Sequence, residues 1–379
     1  MASRLPESPP TTLPVALATS HTRSRASWVL GVGAALVWLG LADCRTLATE
    51  VPSAPHLEDV HLAGRFDTNG PGGPRFAWSG SSVSTHFTGT SISARLHDDG
   101  TNVFQVIVDG TPTSTLGTGP SRELYPLAMG LSPGEHRVEL YKRTEARVGE
   151  VQFVSFVPTQ GERLVPSSPN VTRRIELIGD SITAGYGNEG LSPTCAFSPA
   201  TENEYATYGA VASRELDAEH VTLAWSGRTS EGMAQVYDRI LPARADSRWD
   251  FHAWTPDVVI VNLGTNDFMR GDPGNAFVAA YSALLGRVRS HYPNALLVSA
   301  LGPMLADTYP PGAMNLTHAR RYLTRIVEEA HTHGDARVVF LEFPTQDPTT
   351  SGCGFHPTVA THRLMATQLI AMLRAQMGW

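Results

Sequence analysis

From Val60 to Val157 the apolar positions come in short runs with period two. "SVSTHFTGTSISARL" alternates small polar and apolar residues, and "NVFQVIVDGTP" alternates until an Asp-Gly turn signal. "HRVELYKR" and "GEVQFVSFV" repeat the texture at similar spacing. Gly and Pro punctuate the runs, and no long helical period appears. Residues 57–157 therefore predict a β-sandwich of jelly-roll type. The Pro/Ser-rich stretch 158–172 reads as a linker. From Arg173 onward the period changes. Strand-like runs at Ile175–Ile178, Val221–Ala224, Val258–Leu263, Leu296–Ala300 and Val338–Glu342 alternate with amphipathic stretches near Glu204–Leu216, Ala276–His291, Ala319–Thr332 and Pro357–Met377. That alternation predicts an α/β domain over 173–379: a parallel sheet with helices on both faces, three layers deep.

The bulk numbers fit this picture. The 379 residues suffice for two domains, and 41% hydrophobic with 17% charged residues is a globular composition. A net charge of −7 without a long basic run argues against a nucleic-acid partner. Arg23 and Arg25 precede an apolar run, Trp28–Ala42, shorter than the ~20 residues a membrane helix needs. Residues 1–44 thus read as an export leader, with an uncleaved anchoring helix as the alternative. Cys44, in "LADC", resembles a bacterial lipoprotein box whose cysteine takes a diacylglycerol, although Asp43 replaces the usual small residue. The expectation is a bacterial protein that is secreted, periplasmic or held at the cell surface through a lipid on Cys44. Residues 45–56 look like a tether. Export favours a disulfide between the two remaining cysteines, Cys195 and Cys353; two separate buried thiols are the alternative.

Parallel sheets of this kind gather ligands at the carboxyl ends of their strands. Three strand ends here carry candidate groups: Ser181 in "GDSITAG", Gly227 in "LAWSGRTS", and Asn266 in "GTND". Acyl transfer needs a hydroxyl, a base that takes its proton, and fixed donors for the oxyanion. Ser181 supplies the hydroxyl. Its own N–H, the Gly227 N–H and the Asn266 amide supply a donor set. His356 precedes Pro357 at the predicted start of the last helix, where the positive helix end favours a neutral imidazole able to accept a proton. His362 falls inside that helix and is expected to pack or face solvent. Asp180 and Asp267 flank the site and are expected to hydrogen-bond its loops. Trp249, Phe251 and Trp254 precede the third strand in "RWDFHAWTPDVVIV", where they either stack on sugar rings or plug the sheet edge. His331 and His333 lack a surrounding ligand cluster, so neither a metal nor another cofactor is expected.

"GDSIT", the glycine after the second strand, "GTND" and the late "HP" together resemble the four blocks of the SGNH (GDSL-like) hydrolases, whose α/β domain is flavodoxin-like. Ser181, Gly227, Asn266 and His356 fall on the family positions. The front segments "GRFDTNGPGGPRFAWSG" and "GEHRVELYKRTEARVGEVQF", followed by "CAFSPATENEYATYG", are similar to carbohydrate esterase family two. That family joins a jelly roll to an SGNH domain and removes O-acetyl groups from polysaccharides such as xylan and glucomannan. The resemblance implies an acetylated polysaccharide or oligosaccharide as partner and no obligate protein partner. Cys353 stands where SGNH enzymes carry an orienting aspartate, and Gly354 where the closer family often has an acid. Either a backbone carbonyl orients His356, giving a dyad, or Asp347 reaches back. A lipase or thioesterase acting on longer acyl chains, and a carbohydrate-binding protein with a degenerate site, are the alternative functions.

Overall fold

A computed structural model of the chain describes residues 57–159, 161–166 and 171–379. The leader with Cys44 and the tether lie outside the described residues. Among the described residues the front domain has ten strands: β1 (His61–Ala63), β2 (Arg75–Phe76), β3 (Ser82–Thr88), β4 (Ile92–Asp98), β5 (Val103–Val108), β6 (Thr111–Gly117), β7 (Leu124–Ala128), β8 (Glu135–Lys142), β9 (Val151–Pro158) and β10 (Arg163–Val165). They form two antiparallel sheets, β1-β3-β8-β5-β6, with β10 also on β3, and β2-β9-β4-β7. Alternate residues point inward. Phe104, Val106 and Val108 of β5 meet Leu96, Phe153 and Phe156 of the facing sheet in one apolar core. The expected linker is shorter than 158–172. β9 runs through Pro158, and Arg163–Val165 pairs with His86–Thr88. Three residues are too few to display a period, so the Pro/Ser texture hid this edge strand.

The second part has five parallel strands, β11 (Arg174–Gly179), β12 (Glu219–Ala224), β13 (Val258–Asn262), β14 (Leu296–Leu301) and β15 (Val338–Glu342), ordered β12-β11-β13-β14-β15. Its helices are α1 (Ser181–Ala184), α2 (Tyr208–Glu215), α3 (Ser230–Ala234), α4 (Asn275–His291), α5 (Asn315–Thr332) and α6 (Val359–Met377). The strands are apolar throughout because both faces are covered. Val259 and Val261 join the core that includes residues of α4 and α5, while Val258 and Ile260 join the core with α2 and α6. Strand order reverses between β11 and β13, where Gly179 pairs with Asn262 on one side and Ala224 on the other. Loops leaving β11, β12 and β13 therefore emerge around one crevice.

Three helix starts differ from expectation: α5 opens at Asn315, four residues before the expected Ala319. The stretch 204–216 begins with a separate turn, Glu204–Ala206, before Thr207 caps α2 through the Ala210 N–H. The last helix begins at Val359, because Thr358 caps it through the Thr361 N–H at 3.3 Å. His356 thus lies outside the helix.

The sandwich is pinned to the α/β layers by a buried charge. Arg65, from the sandwich, is fully buried, and its guanidinium donates to Glu176 Oε2 on β11 at 3.3 Å and to the Tyr237 carbonyl. Tyr237, Trp249 and Phe251 surround it, with ring centroids 5.2–5.3 Å from its central carbon. Glu176 also accepts from Tyr237 Oη at 2.9 Å and Tyr292 Oη at 3.3 Å. A disulfide joins Cys195 to Cys353 across 158 positions. Removing one partner of a buried ion pair leaves the other charge unpaired, so Arg65→Met should destabilise the protein by about 3–5 kcal/mol. Equilibrium urea denaturation measures this; a midpoint equal to that of the parent would contradict it. By the same measurement, C195A/C353A should lose about 2–5 kcal/mol of stability.

Candidate active site

Ser181 opens α1 directly after β11. Its placement follows from the turn: Asp180 is the N-cap, and its carboxylate accepts from the Ile182 N–H at 3.0 Å. Residue 179 has to be glycine, since a Cβ there would meet Thr183 Oγ1 at 2.0 Å. Ser181 is buried, with 6% of the residue exposed.

The loop after β12 is a tight turn. Arg228 N–H donates to the Trp225 carbonyl at 3.3 Å, and Gly227 sits at the third position with φ of +82°. This is the pattern of a type II turn, in which that position wants glycine. A Cβ on Gly227 would meet nothing within 4 Å, and the residue is exposed to the crevice. Among the described residues nothing accepts the Gly227 N–H. Asn266, after β13, donates both amide protons: to Asp180 Oδ2 at 3.1 Å and to the Arg228 carbonyl at 3.0 Å. One side chain therefore links the turn bearing Gly227 to the turn bearing Ser181.

Burial pushes the Asp180 carboxyl up to about 7 against the opposing pull of its hydrogen bonds. Asp267 is likewise raised, to about 6, by burial, and accepts from the Ser230 N–H and hydroxyl. Both acids brace loops, as their flanking positions suggested.

His356 follows a short turn, Cys353–Phe355, closed by the His356 N–H to the Cys353 carbonyl. Its ring Nδ1 lies 3.0 Å from the Gly354 carbonyl and 3.2 Å from the Cys353 carbonyl. Two acceptors at Nδ1 place the proton there and leave Nε2 with a free lone pair. Asp347 does not orient the ring. Its exposed carboxylate accepts instead from the Thr349 N–H and hydroxyl at 2.8 and 2.7 Å. The His356 pKa is lowered to about 4, by burial and not by a helix end, with the two carbonyls opposing.

The histidine loop is stitched to the loop after α1. Cys353 N–H donates to the Gly187 carbonyl at 3.0 Å, Val359 N–H to the Asn188 carbonyl at 3.2 Å, and the disulfide adds a covalent tie. Tyr186 packs between Phe197 and His356, with centroids 4.5 and 4.4 Å away, while its N–H donates to the Ser181 carbonyl at 3.0 Å. Among the described residues no hydrogen bond joins the Ser181 hydroxyl to the His356 ring. His362 is buried and accepts from the Tyr208 N–H at 3.2 Å, a packing role.

Trp249 and Trp254 lie elsewhere. They precede β13, so they sit at the amino-terminal edge of the sheet, opposite the crevice. Trp254 Nε1 donates to Glu219 at the start of β12 at 2.6 Å, and Trp249 walls the Arg65 guanidinium. In a parallel sheet only the loops that leave strands reach the carboxyl edge, so the plugging role is the one they fill. Sequence reasoning missed Tyr186 and the front-domain loop 143–149. Arg147 in that loop holds its guanidinium over the Phe197 and Tyr186 rings at 5.0 and 5.9 Å. Nothing in the sequence pattern marks that loop as reaching the second domain.

The chain resembles known proteins over both parts. A family profile described as Carbohydrate esterase 2 N-terminal matches residues 62–168, and the GDSL-like Lipase/Acylhydrolase family matches residues 177–364. Cellulase/esterase CelE from Acetivibrio thermocellus is 42% identical over 327 residues, 83% of this chain but 39% of that protein. The chain thus spans well under half the length of this relative. An acetylxylan esterase / glucomannan deacetylase from Cellvibrio japonicus is 26% identical, with 87% of this chain and 92% of that protein aligned. The solved structure of a family two carbohydrate esterase from Clostridium thermocellum, in complex with cellohexaose, is 41% identical, with a TM-score of 0.80. It covers 84% of this chain and 99% of its own. A sandwich followed by α/β layers, with the serine turn after the first parallel strand and that likeness along nearly the whole of a solved relative, identifies this chain as a member of carbohydrate esterase family two.

Proposed function

We propose that the protein is an exported serine esterase that removes O-acetyl groups from a polysaccharide or oligosaccharide such as xylan or glucomannan. The observation that carries this reading is the free Gly227 N–H beside the Ser181 turn, with a histidine whose Nε2 is left available by two carbonyls at Nδ1. Ser181 Oγ attacks the acetyl carbonyl, and its proton passes to His356 Nε2. The oxyanion takes the N–H groups of Ser181 and Gly227, and Asn266 exchanges one of its two resting bonds for a third. Collapse expels the sugar oxygen, which receives the proton from His356. Water, deprotonated by the same ring, then attacks the acetyl-enzyme, releasing acetate and restoring Ser181. Family membership supports the substrate class, as does the likeness to the Cellvibrio japonicus acetylxylan esterase / glucomannan deacetylase. Export and attachment through Cys44 rest on the leader pattern alone. The cellohexaose complex of the solved relative favours a second reading, in which the same crevice also holds unacetylated β-glucan chains.

Acetate release from acetylated xylan and glucomannan tests the main reading. The parent should release acetate, and S181A and H356A should be nearly inactive. N266A should lose about 10²–10³ in kcat, the usual effect of one oxyanion donor, while D347N should keep most of its activity. An octanoyl aryl ester cleaved faster than the acetyl ester would favour the lipase alternative. Retained cellohexaose binding in S181A, with no ester cleavage by the parent, would favour a binding protein.

The pH profile follows from His356. Its neutral form is the base, and its pKa is lowered to about 4 by burial. Activity should therefore persist below the ordinary histidine range and fall only as pH drops towards 4. D180N is run alongside, because the Asp180 carboxyl, held near 7, titrates within the same window. A kcat/KM limb near 6.5 in both proteins would contradict the assignment.

A further inference from the structure

The loop between β8 and β9 crosses from the sandwich to the crevice of the other domain. Its Glu145 is 0% exposed. Glu145 Oε2 accepts the Ser226 N–H at 2.6 Å, across 81 positions in sequence. Ser226 is the residue before Gly227, in the turn closed by Trp225 and Arg228. In such a turn the N–H groups of the two central residues have no partner inside the turn. Here the first is taken by Glu145 and the second, that of Gly227, faces the crevice unpaired.

Glu145 is itself fixed from several sides. Lys142, the only lysine of the chain, is fully buried, and its ammonium donates to the carbonyls of Thr144 at 2.7 Å and Glu145 at 3.2 Å. The Glu145 N–H donates to Glu202 Oε2 at 3.0 Å, and Arg147 approaches Glu145 Oε1 at 3.3 Å. Arg143, on the same loop, pairs with Glu189 of the second domain. The loop thus has no slack, and its carboxylate is delivered to one backbone N–H. A buried carboxylate needs a stated partner, and this one meets the oxyanion turn.

We infer that Glu145 is a positioning residue for the oxyanion hole: by holding the Ser226 N–H it sets the peptide plane that aims the Gly227 N–H, so the front domain is a working part of the active site. The inference rests on the esterase reading above. A donor must stand within about 3 Å of where negative charge develops. A tilt of the turn would weaken transition-state binding while leaving sugar contacts in place.

The test uses the full chain and an aryl acetate, with kcat expressed per site titrated by an organophosphonate that reacts with Ser181. Titration removes differences in folded fraction. E145A should lower kcat roughly 10- to 100-fold, less than outright removal of a donor, with KM within about threefold of the parent. E145Q keeps a carbonyl oxygen for the Ser226 N–H and should recover kcat to within about threefold. If E145A does not accumulate, E145D withdraws the acceptor by one methylene at the same charge, and its kcat should fall about tenfold. Three results would each overturn the inference: unchanged kcat per titrated site in E145A or E145D, a loss in E145Q as large as in E145A, or a rise in KM alone. A parent that cleaves no ester, or an S181A that still does, would sink the esterase reading and this inference with it.

Discussion

The seating of Arg65 in a box of aromatic rings, bonded to a carboxylate in the middle of the parallel sheet, holds the two domains as one body. A guanidinium taken fully out of water is tolerable only if its donors and its charge are answered. Here its charge meets Glu176, its terminal nitrogens donate to Glu176 and to the Tyr237 and Arg239 carbonyls, and three aromatic rings wall it. The loop after β8 arrives at the carboxyl edge of the sheet, where Arg143 meets Glu189 and Glu145 meets Ser226. The two domains thus touch both at mid-sheet, through Arg65, and at the crevice, through the loop after β8.

The fold was largely legible because its signals are periodic. Five apolar runs mark five strands within two residues at each end, and β4 alternates as a half-covered strand should. The chemical groups at strand ends were legible for another reason: Gly-Asp-Ser, a glycine after the second strand and an asparagine after the third are local turn chemistry. What escaped was non-local. β10 is too short to carry a period. The start of α6 was misplaced because Pro357 and Thr358 both look like helix openings, and only Thr358 caps. Trp249 and Trp254 looked ready for sugars because composition does not say which edge of a sheet a loop occupies. Glu145 sits in "KRTEARVGE", which reads as a solvated charged turn. Its burial depends on a partner 81 residues away.

Among the described residues no acid bonds the His356 ring, and this changes how the ring is held. Two backbone carbonyls fix the tautomer without adding a negative charge. A carboxylate at Nδ1 would raise the basicity of the ring and stabilise the imidazolium. Carbonyls orient it and leave burial to lower its affinity for a proton. The base is weak and stays neutral across a wide range of acidity. Positioning then carries more of the burden, which fits a ring packed on Tyr186 and a loop tied at both ends.

The Cys195–Cys353 bond bears on when in its life the chain becomes competent. The serine turn, the glycine turn and the asparagine are set by the sheet and assemble with it. The imidazole rides on a segment anchored by a covalent link that forms only where an oxidant is available. A newly made chain kept among reductants would carry a finished nucleophile and a loosely seated proton acceptor. Maturation would then end with a sulfur–sulfur bond, and hydrolytic power would be withheld until that bond had formed.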